Sequence, residues 1–171
     1  MKALVLAGPN GMDDVWIAEV ADPVAGPSEV VVRLEAAALN HLDLWTIGGT
    51  LNVDHEFPHV LGADGAGVIE EVGADVVGLE PGMRVIVDPG HSCGRCERCL
   101  AGEASECRSF RMLGEHLHGT FAERVKVPAT NVFPYPDYLT TAEAAALGVT
   151  FITAYRMLFT RGGLRPGEWV L

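Results

Sequence analysis

Four cysteines within fifteen residues, Cys93, Cys96, Cys99 and Cys107, constrain this chain more than any other feature. They are spaced C-x2-C-x2-C-x7-C, and the chain has no others. Four thiolates that close repel one another unless a cation neutralises them, and tetrahedral Zn²⁺ is the usual occupant of an all-cysteine shell. Arg95, Arg98 and Arg108 stand near enough in sequence to offset the remaining charge. Gly94 and Gly102 give the backbone freedom to turn around an ion. Two competing readings stay open. Disulfides would have to close strained loops between cysteines three apart, and an iron or redox site uses the same ligands. One structural zinc per chain is the expectation. A full shell of four protein ligands leaves no open position, so such a metal holds a lobe together and does no chemistry. The lobe has almost no apolar core of its own, so metal binding would supply its folding energy directly.

Composition narrows the partners. At 171 residues with 49% apolar and 20% charged side chains, the chain suits one globular domain of ordinary size. Its net charge of −11 argues against nucleic acid and anionic membranes, both of which need basic patches. Ala3 to Ala7 is too short for a signal-peptide core, and the uncharged window Ala144 to Tyr155 is too short to span a bilayer. A reducing cytoplasm is the expected location.

Along the chain, residues 2–7 suit a strand, with 15–20 as its partner across a turn. Glu29 to Ala36 is the strongest strand signal, rich in β-branched residues. Asn40 to Ile47 reads as a short helix stopped by Gly48-Gly49. The glycine cluster from Gly62 to Gly73 is expected to precede a strand and completes no G-x-G-x-x-G, so it is not a dinucleotide fingerprint. Glycines there let another backbone or a ligand approach closely. Strands are expected at 83–87 and 119–127. Thr140 and Glu143 have capping-box spacing, a second helix is expected at 149–160, and Trp169-Val170-Leu171 reads as the start of a strand. The expected fold is therefore mainly β with a few helices.

Motifs spread over the whole chain carry a resemblance. They include Ala38-Leu39-Asn40-His41-Leu42-Asp43, the run Gly62 to Gly73, Pro81-Gly82-x-Arg84-Val85, the four-cysteine lobe and Gly119-x-Phe121-Ala122-Glu123. Ala144-Ala145-Ala146-Leu147, Thr153-Ala154-Tyr155 and Pro166-Gly167-Glu168 continue the series in order. The chain resembles the N-terminal, GroES-like catalytic domain of the zinc-containing alcohol dehydrogenase and quinone oxidoreductase superfamily of medium-chain dehydrogenases. That resemblance implies a distorted GroES-like β-barrel over residues 1–135, carrying the zinc lobe at 90–110. It implies that residues 136–171 are a helical connection to, and first strand of, a nucleotide-binding Rossmann domain whose Gly-rich loop is absent from this chain. NAD or NADP would be the cofactor of the joined enzyme, and the chain alone would be inactive.

The departures from the family are specific. Zinc-dependent relatives carry a catalytic-zinc Cys at the position of Asn40, a His at that of Ala63 and a further ligand at that of Val149. Asn is a poor zinc ligand, and Ala and Val cannot ligate at all. The proton-relaying hydroxyl of many relatives falls at Leu42. The structural metal is thus expected to be kept and the catalytic one lost.

Asn40, His41 and Asp64 are the candidate catalytic residues, and His41 with Thr153 the candidate cofactor contacts. Asn40 has both donors and acceptors for a substrate carbonyl, or it is simply the helix N-cap. His41 faces the cofactor pyrophosphate or solvent. Asp64 lines the cleft; buried, it needs a partner, for which arginine is the natural choice. Thr153 packs near the nicotinamide or is an ordinary helix residue.

The expected function is hydride transfer between NAD(P) and a carbonyl, alcohol, quinone or enone. The substrate would be a small molecule, the assembly a homo-oligomer, with no nucleic acid or membrane partner. The alternative is a non-enzymatic zinc-stabilised interaction module.

Overall fold

The computed structural model describes residues 1–51 and 53–171. Strand β1 (Lys2–Leu6) pairs antiparallel with β2 (Val15–Glu19), from Lys2 opposite Glu19 to Leu6 opposite Val15, and its other edge takes β4 (His59–Val60). The larger sheet is built on β3 (Glu29–Ala38) and β5 (Asp64–Val72), flanked by β6 (Arg84–Val87), β9 (Arg124–Pro128) and β10 (Val132–Pro134). Its spatial order is β10-β6-β5-β3-β9. A short pair, β7 (Gly90–His91) with β8 (Arg111–Met112), brackets the cysteine lobe. Residues 121–123 link the two larger sheets: Leu4 donates its N–H to the Phe121 carbonyl at 2.7 Å, Glu123 donates to the Lys2 carbonyl at 3.1 Å, and Leu34 of β3 donates to the Glu123 carbonyl at 2.9 Å.

The β-branched run of β3 explains the core. Val30 and Val32 pack with Ile69, Val85, Val87, Leu113, Val125, Val127 and Val132 in one buried cluster. Pairing between β3 and β5 slips twice, between Val31 and Val32 and between Leu34 and Ala36, and such bulges increase twist and help a sheet curl closed. Glycine is required at one of these places. A Cβ on Gly67 would sit 2.0 Å from the Arg33 carbonyl oxygen, so only a bare backbone lets the strands meet.

Helix α1 (His41–Ile47) starts where expected, after Asn40. A one-turn helix, α2 (Glu97–Leu100), lies within the lobe. Helix α3 (Thr141–Ala145) opens with the anticipated box: the Glu143 N–H donates to Thr140 Oγ1 at 3.2 Å, and the Thr140 N–H donates to Glu143 Oε2 at 2.8 Å. Helix α4 (Val149–Tyr155) continues as a wider π-helical stretch, Arg156–Arg161.

Several expectations need correction. The glycine cluster does not precede a strand: Gly65 and Gly67 lie within β5 itself. The strand expected at 119–127 begins only at Arg124, because residues 119–123 bond instead across to Val60, Leu61, Gly62 and Lys2. Residues 169–171 form no strand; among the described residues none pairs with them, and an unpaired strand leaves its ladder bonds unmade. No helix is long and apolar enough to cross a membrane among the described residues.

Candidate functional site

Two groups of polar side chains stand out. In the lobe, the ligand atoms of Cys93, Cys96, Cys99 and Cys107 all lie within 4.8 Å of one another, and among the described residues this is the one such convergence of three or more His, Cys, Asp or Glu groups. The thiols are unpaired, with Cys96 Sγ 3.5 Å from Cys99 Sγ and 3.9 Å from Cys107 Sγ, and Cys93 Sγ 3.9 Å from Cys99 Sγ. Tetrahedral Zn–S bonds of ~2.3 Å would put sulfurs ~3.8 Å apart. The donor set and its spacing therefore fit zinc.

Backbone amides favour the thiolate form as well. The Cys96 N–H donates to Cys93 Sγ at 3.3 Å, and those of Cys93 and Ser109 donate to Cys107 Sγ, each at 3.4 Å. Backbone amides, those of Arg95 and Cys96 foremost, hold Cys93 below the usual thiol range. The backbone of Cys99 pulls Cys96 down to about 6, whereas burial pushes Cys99 up. A shared cation would resolve that conflict by holding all four as thiolates.

The second group is built on Asp64, at the start of β5 and 1% exposed. Asn40 Nδ2 donates to Asp64 Oδ2 at 2.9 Å, and the Val149 backbone N–H donates to Asp64 Oδ1 at 2.8 Å. Thr120 Oγ1 donates to the Asp64 carbonyl at 2.8 Å. The expected arginine partner is absent among the described residues; neutral donors hold this carboxylate. Burial raises its pKa, and the Asn40 and Val149 bonds pull the other way. Asp43 accepts the Asn40 backbone N–H at 2.7 Å, and it too is raised, chiefly by burial. Asn40 does occupy the N-cap position of α1, but its side-chain amide is spent on Asp64.

Asn40 and Asp64 are thus brought together, and Val149 joins them through its backbone, a contact no side-chain motif could announce. Its one sequence signal is Gly148, where a Cβ would stand 2.0 Å from Asp64 Oδ1. His41 sits exposed on the first turn of α1, its ring edge-on to Trp45 at 5.0 Å. Thr153 is exposed on α4. Among the described residues the Asp64 carboxylate is bonded by Asn40 and Val149 and its carbonyl by the Thr120 side chain, not by His41 or Thr153.

Three further histidines, His55, His59 and His118, cluster. The His59 ring lies 4.5 Å from that of His55 and 5.5 Å from that of His118. His59 Nε2 is 3.2 Å from the Gly114 carbonyl, and His118 Nδ1 accepts the Val60 N–H at 3.2 Å. Burial, reinforced by neighbouring imidazoles, lowers His59 from 6.5 to about 4. The unfolded chain therefore binds the extra proton first. His59 contributes stability that is complete above pH 6.5 and lost as pH falls towards 4, on the order of 3 kcal/mol in all. Chemical denaturation of the native chain and of His59→Gln from pH 7 to 4 should show the flatter profile in the variant. Parallel profiles would remove His59 from the account; acid effects on the cysteines are common to both.

Residues 26–137 match the family described as alcohol dehydrogenase GroES-like domain. An alcohol dehydrogenase of Geobacillus stearothermophilus is 37% identical over 155 residues, 90% of this chain and 46% of that protein. Acryloyl-coenzyme A reductase of Sulfurisphaera tokodaii is 36% identical over 173 residues, 100% of this chain and 50% of its own. The chain thus spans about half the length of these curated relatives. Among solved structures, an NAD-dependent alcohol dehydrogenase superposes with a TM-score of 0.93 at 49% identity, covering 98% of this chain and 49% of that one. A cobalt- and zinc-bound thermostable alcohol dehydrogenase from Pyrobaculum aerophilum gives 0.89 at 33% identity, over 98% of this chain and 50% of that one. The chain belongs to the alcohol dehydrogenase GroES-like domain family, within the medium-chain dehydrogenase superfamily.

Proposed function

We propose that this chain is the catalytic portion of an NAD(P)-dependent oxidoreductase, with one structural zinc in the cysteine lobe and no catalytic metal beside Asp64. One observation carries the reading. The positions that the resemblance gives to catalytic-zinc ligands converge on Asp64, but what meets there is an amide N–H from Asn40 and a backbone N–H from Val149. Both are donors, so the cluster is built to hold a carboxylate, not a cation. Ala63, fully buried beside it, adds only a methyl group.

Hydride would pass between nicotinamide and a small molecule in the cleft near Asn40, His41 and Asp64, with Thr153 and His41 on the cofactor side. Residues 1–135 would form the catalytic barrel and 136–171 the connection to a nucleotide-binding domain. Without a Lewis acid, negative charge developing on the substrate oxygen has to be met by hydrogen bonds or solvent, which favours easily reduced enones, enoyl thioesters or quinones over plain alcohols. The acryloyl-coenzyme A reductase similarity along the full chain supports that choice. Zinc in the lobe, when bound, would supply folding energy; Cys93, Cys96, Cys99 and Cys107 would hold it.

The test is turnover by the chain joined to a nucleotide-binding domain, before and after gentle chelation. NAD(P)H-dependent reduction of an enone should persist in the sample that keeps only lobe zinc. Ethanol oxidation abolished by chelation and restored by zinc would overturn the reading.

A second reading, an interaction module, draws on the exposed Phe151, Ile152, Tyr155 and Trp169. Self-association of the isolated chain supports it, and a strictly monomeric chain counts against it.

A further inference from the structure

Helix α4 and its π-helical continuation, residues 149–161, bury none of their own side chains. A helix without a buried stripe has little hydrophobic anchorage, so what fixes it must be sought at its ends. At the first end, the Val149 N–H lacks an intrahelical acceptor and donates to Asp64. At the other, Arg156 and Arg161 reach the cysteine lobe. Arg156 pairs with Glu103 and, at 3.4 Å, with Glu106; Arg161 pairs with Glu106 and, at 3.3 Å, with Glu103. Each guanidinium meets both carboxylates.

Both glutamates sit on the turn between Cys99 and Cys107, whose backbone is closely bonded. Glu103 donates to the Arg98 carbonyl at 2.8 Å, Glu106 to that of Glu103 at 2.9 Å, and Cys107 to that of Ala104 at 3.1 Å. Between lobe and helix lies a cavity of about 720 Å³, lined by Ala104 and Phe110 on one side and Phe151, Ile152 and Tyr155 on the other. The apolar faces are therefore not packed tightly together, and the ion network spans the gap. A lone exposed ion pair contributes little, but a carboxylate shared by two guanidinium groups is ordered once for two interactions.

We propose that Glu103, Glu106, Arg156 and Arg161 are positioning residues that couple the cysteine lobe to Asp64, setting where the Val149 N–H stands. Nothing in this coupling needs the oxidoreductase reading, but its test rests on the proposed metal in the lobe. Coupling through a rigid element is reciprocal: whatever orders the lobe orders Val149, and loosening Asp64 loosens the lobe.

Amide hydrogen exchange at Val149 in the zinc-loaded chain is the test. In Glu103→Gln/Glu106→Gln, exchange should quicken about fivefold or more with zinc content unchanged. Arg156→Gln/Arg161→Gln leaves the lobe sequence intact and should do the same, whereas Arg156→Lys/Arg161→Lys should retain most protection. Added salt should speed Val149 exchange in the native chain and have little effect in the double variants. Chelation should mimic the variants. Val149 protection that ignores both double variants, or is equally salt-sensitive with and without the network, overturns the proposal.

Discussion

Replacing Cys107 by alanine is expected to reduce bound zinc from one ion per chain to near zero and to unfold residues 93–107 while the barrel persists. Cys107 is the most buried of the four and accepts two backbone N–H groups, from Cys93 and Ser109. Among the described residues none between 91 and 106 belongs to a buried apolar cluster, whereas the barrel core draws on seven strands, helix α3, Leu113 and Tyr135. Metal bound there would thus be the lobe's main source of order; structural zinc in finger peptides contributes ~10–16 kcal/mol. Elemental analysis and hydrogen exchange together check the expectation. Exchange should become rapid across 93–107 and remain slow in β3 and β5. A lobe still protected without metal would show that packing, not coordination, holds it.

Gly148→Ala is expected to lower thermal stability by about 3 kcal/mol, or on the order of 6–12 °C in midpoint. The new Cβ would stand 2.0 Å from Asp64 Oδ1 and 2.7 Å from its Cγ. The carboxylate cannot swing aside cheaply, because Asn40 and the Val149 N–H hold its two oxygens. Displacing it leaves a nearly inaccessible carboxylate and a helix-terminal N–H short of partners. Asp64→Ala within the Gly148→Ala background should be much less harmful than the two single losses added, since the clashing atom is gone. Additive losses would mean that Gly148 is needed for its backbone angles and not for the space beside Asp64.

How much was legible in advance varied with the range of the interaction. The cysteine cluster was readable because its ligands are close in sequence, and four thiolates at that spacing have few stable arrangements. The same locality made α1, the Thr140–Glu143 box and the β-branched run of β3 legible. The Asp64 cluster was only half legible. Glycines around a carboxylate marked a close approach, yet the partner proved to be a backbone N–H 85 positions away, and backbone donors leave no residue-type signature. Arginine was the wrong partner to expect because the buried carboxylate is satisfied by neutral donors while its own pKa rises. The start of β9 was misplaced for a related reason. Residues 119–123 have strand-like composition, but the N–H groups of Gly119, Thr120, Phe121 and Glu123 donate to Val60, Gly62, Leu61 and Lys2, and only the Glu123 carbonyl still accepts from β3, at Leu34. Nothing in the sequence announces the histidine cluster, because His55, His59 and His118 carry no common metal-ligand spacing and meet only through folding.

The most direct measurement is zinc stoichiometry per chain, by elemental analysis after gentle chelation and dialysis. One retained zinc, lost in Cys107→Ala and kept in Asp64→Ala, is the result this account predicts. Two zinc ions per chain, one of them lost in Asp64→Ala, would contradict it by placing a second metal where the donors of Asn40 and Val149 are argued to exclude one.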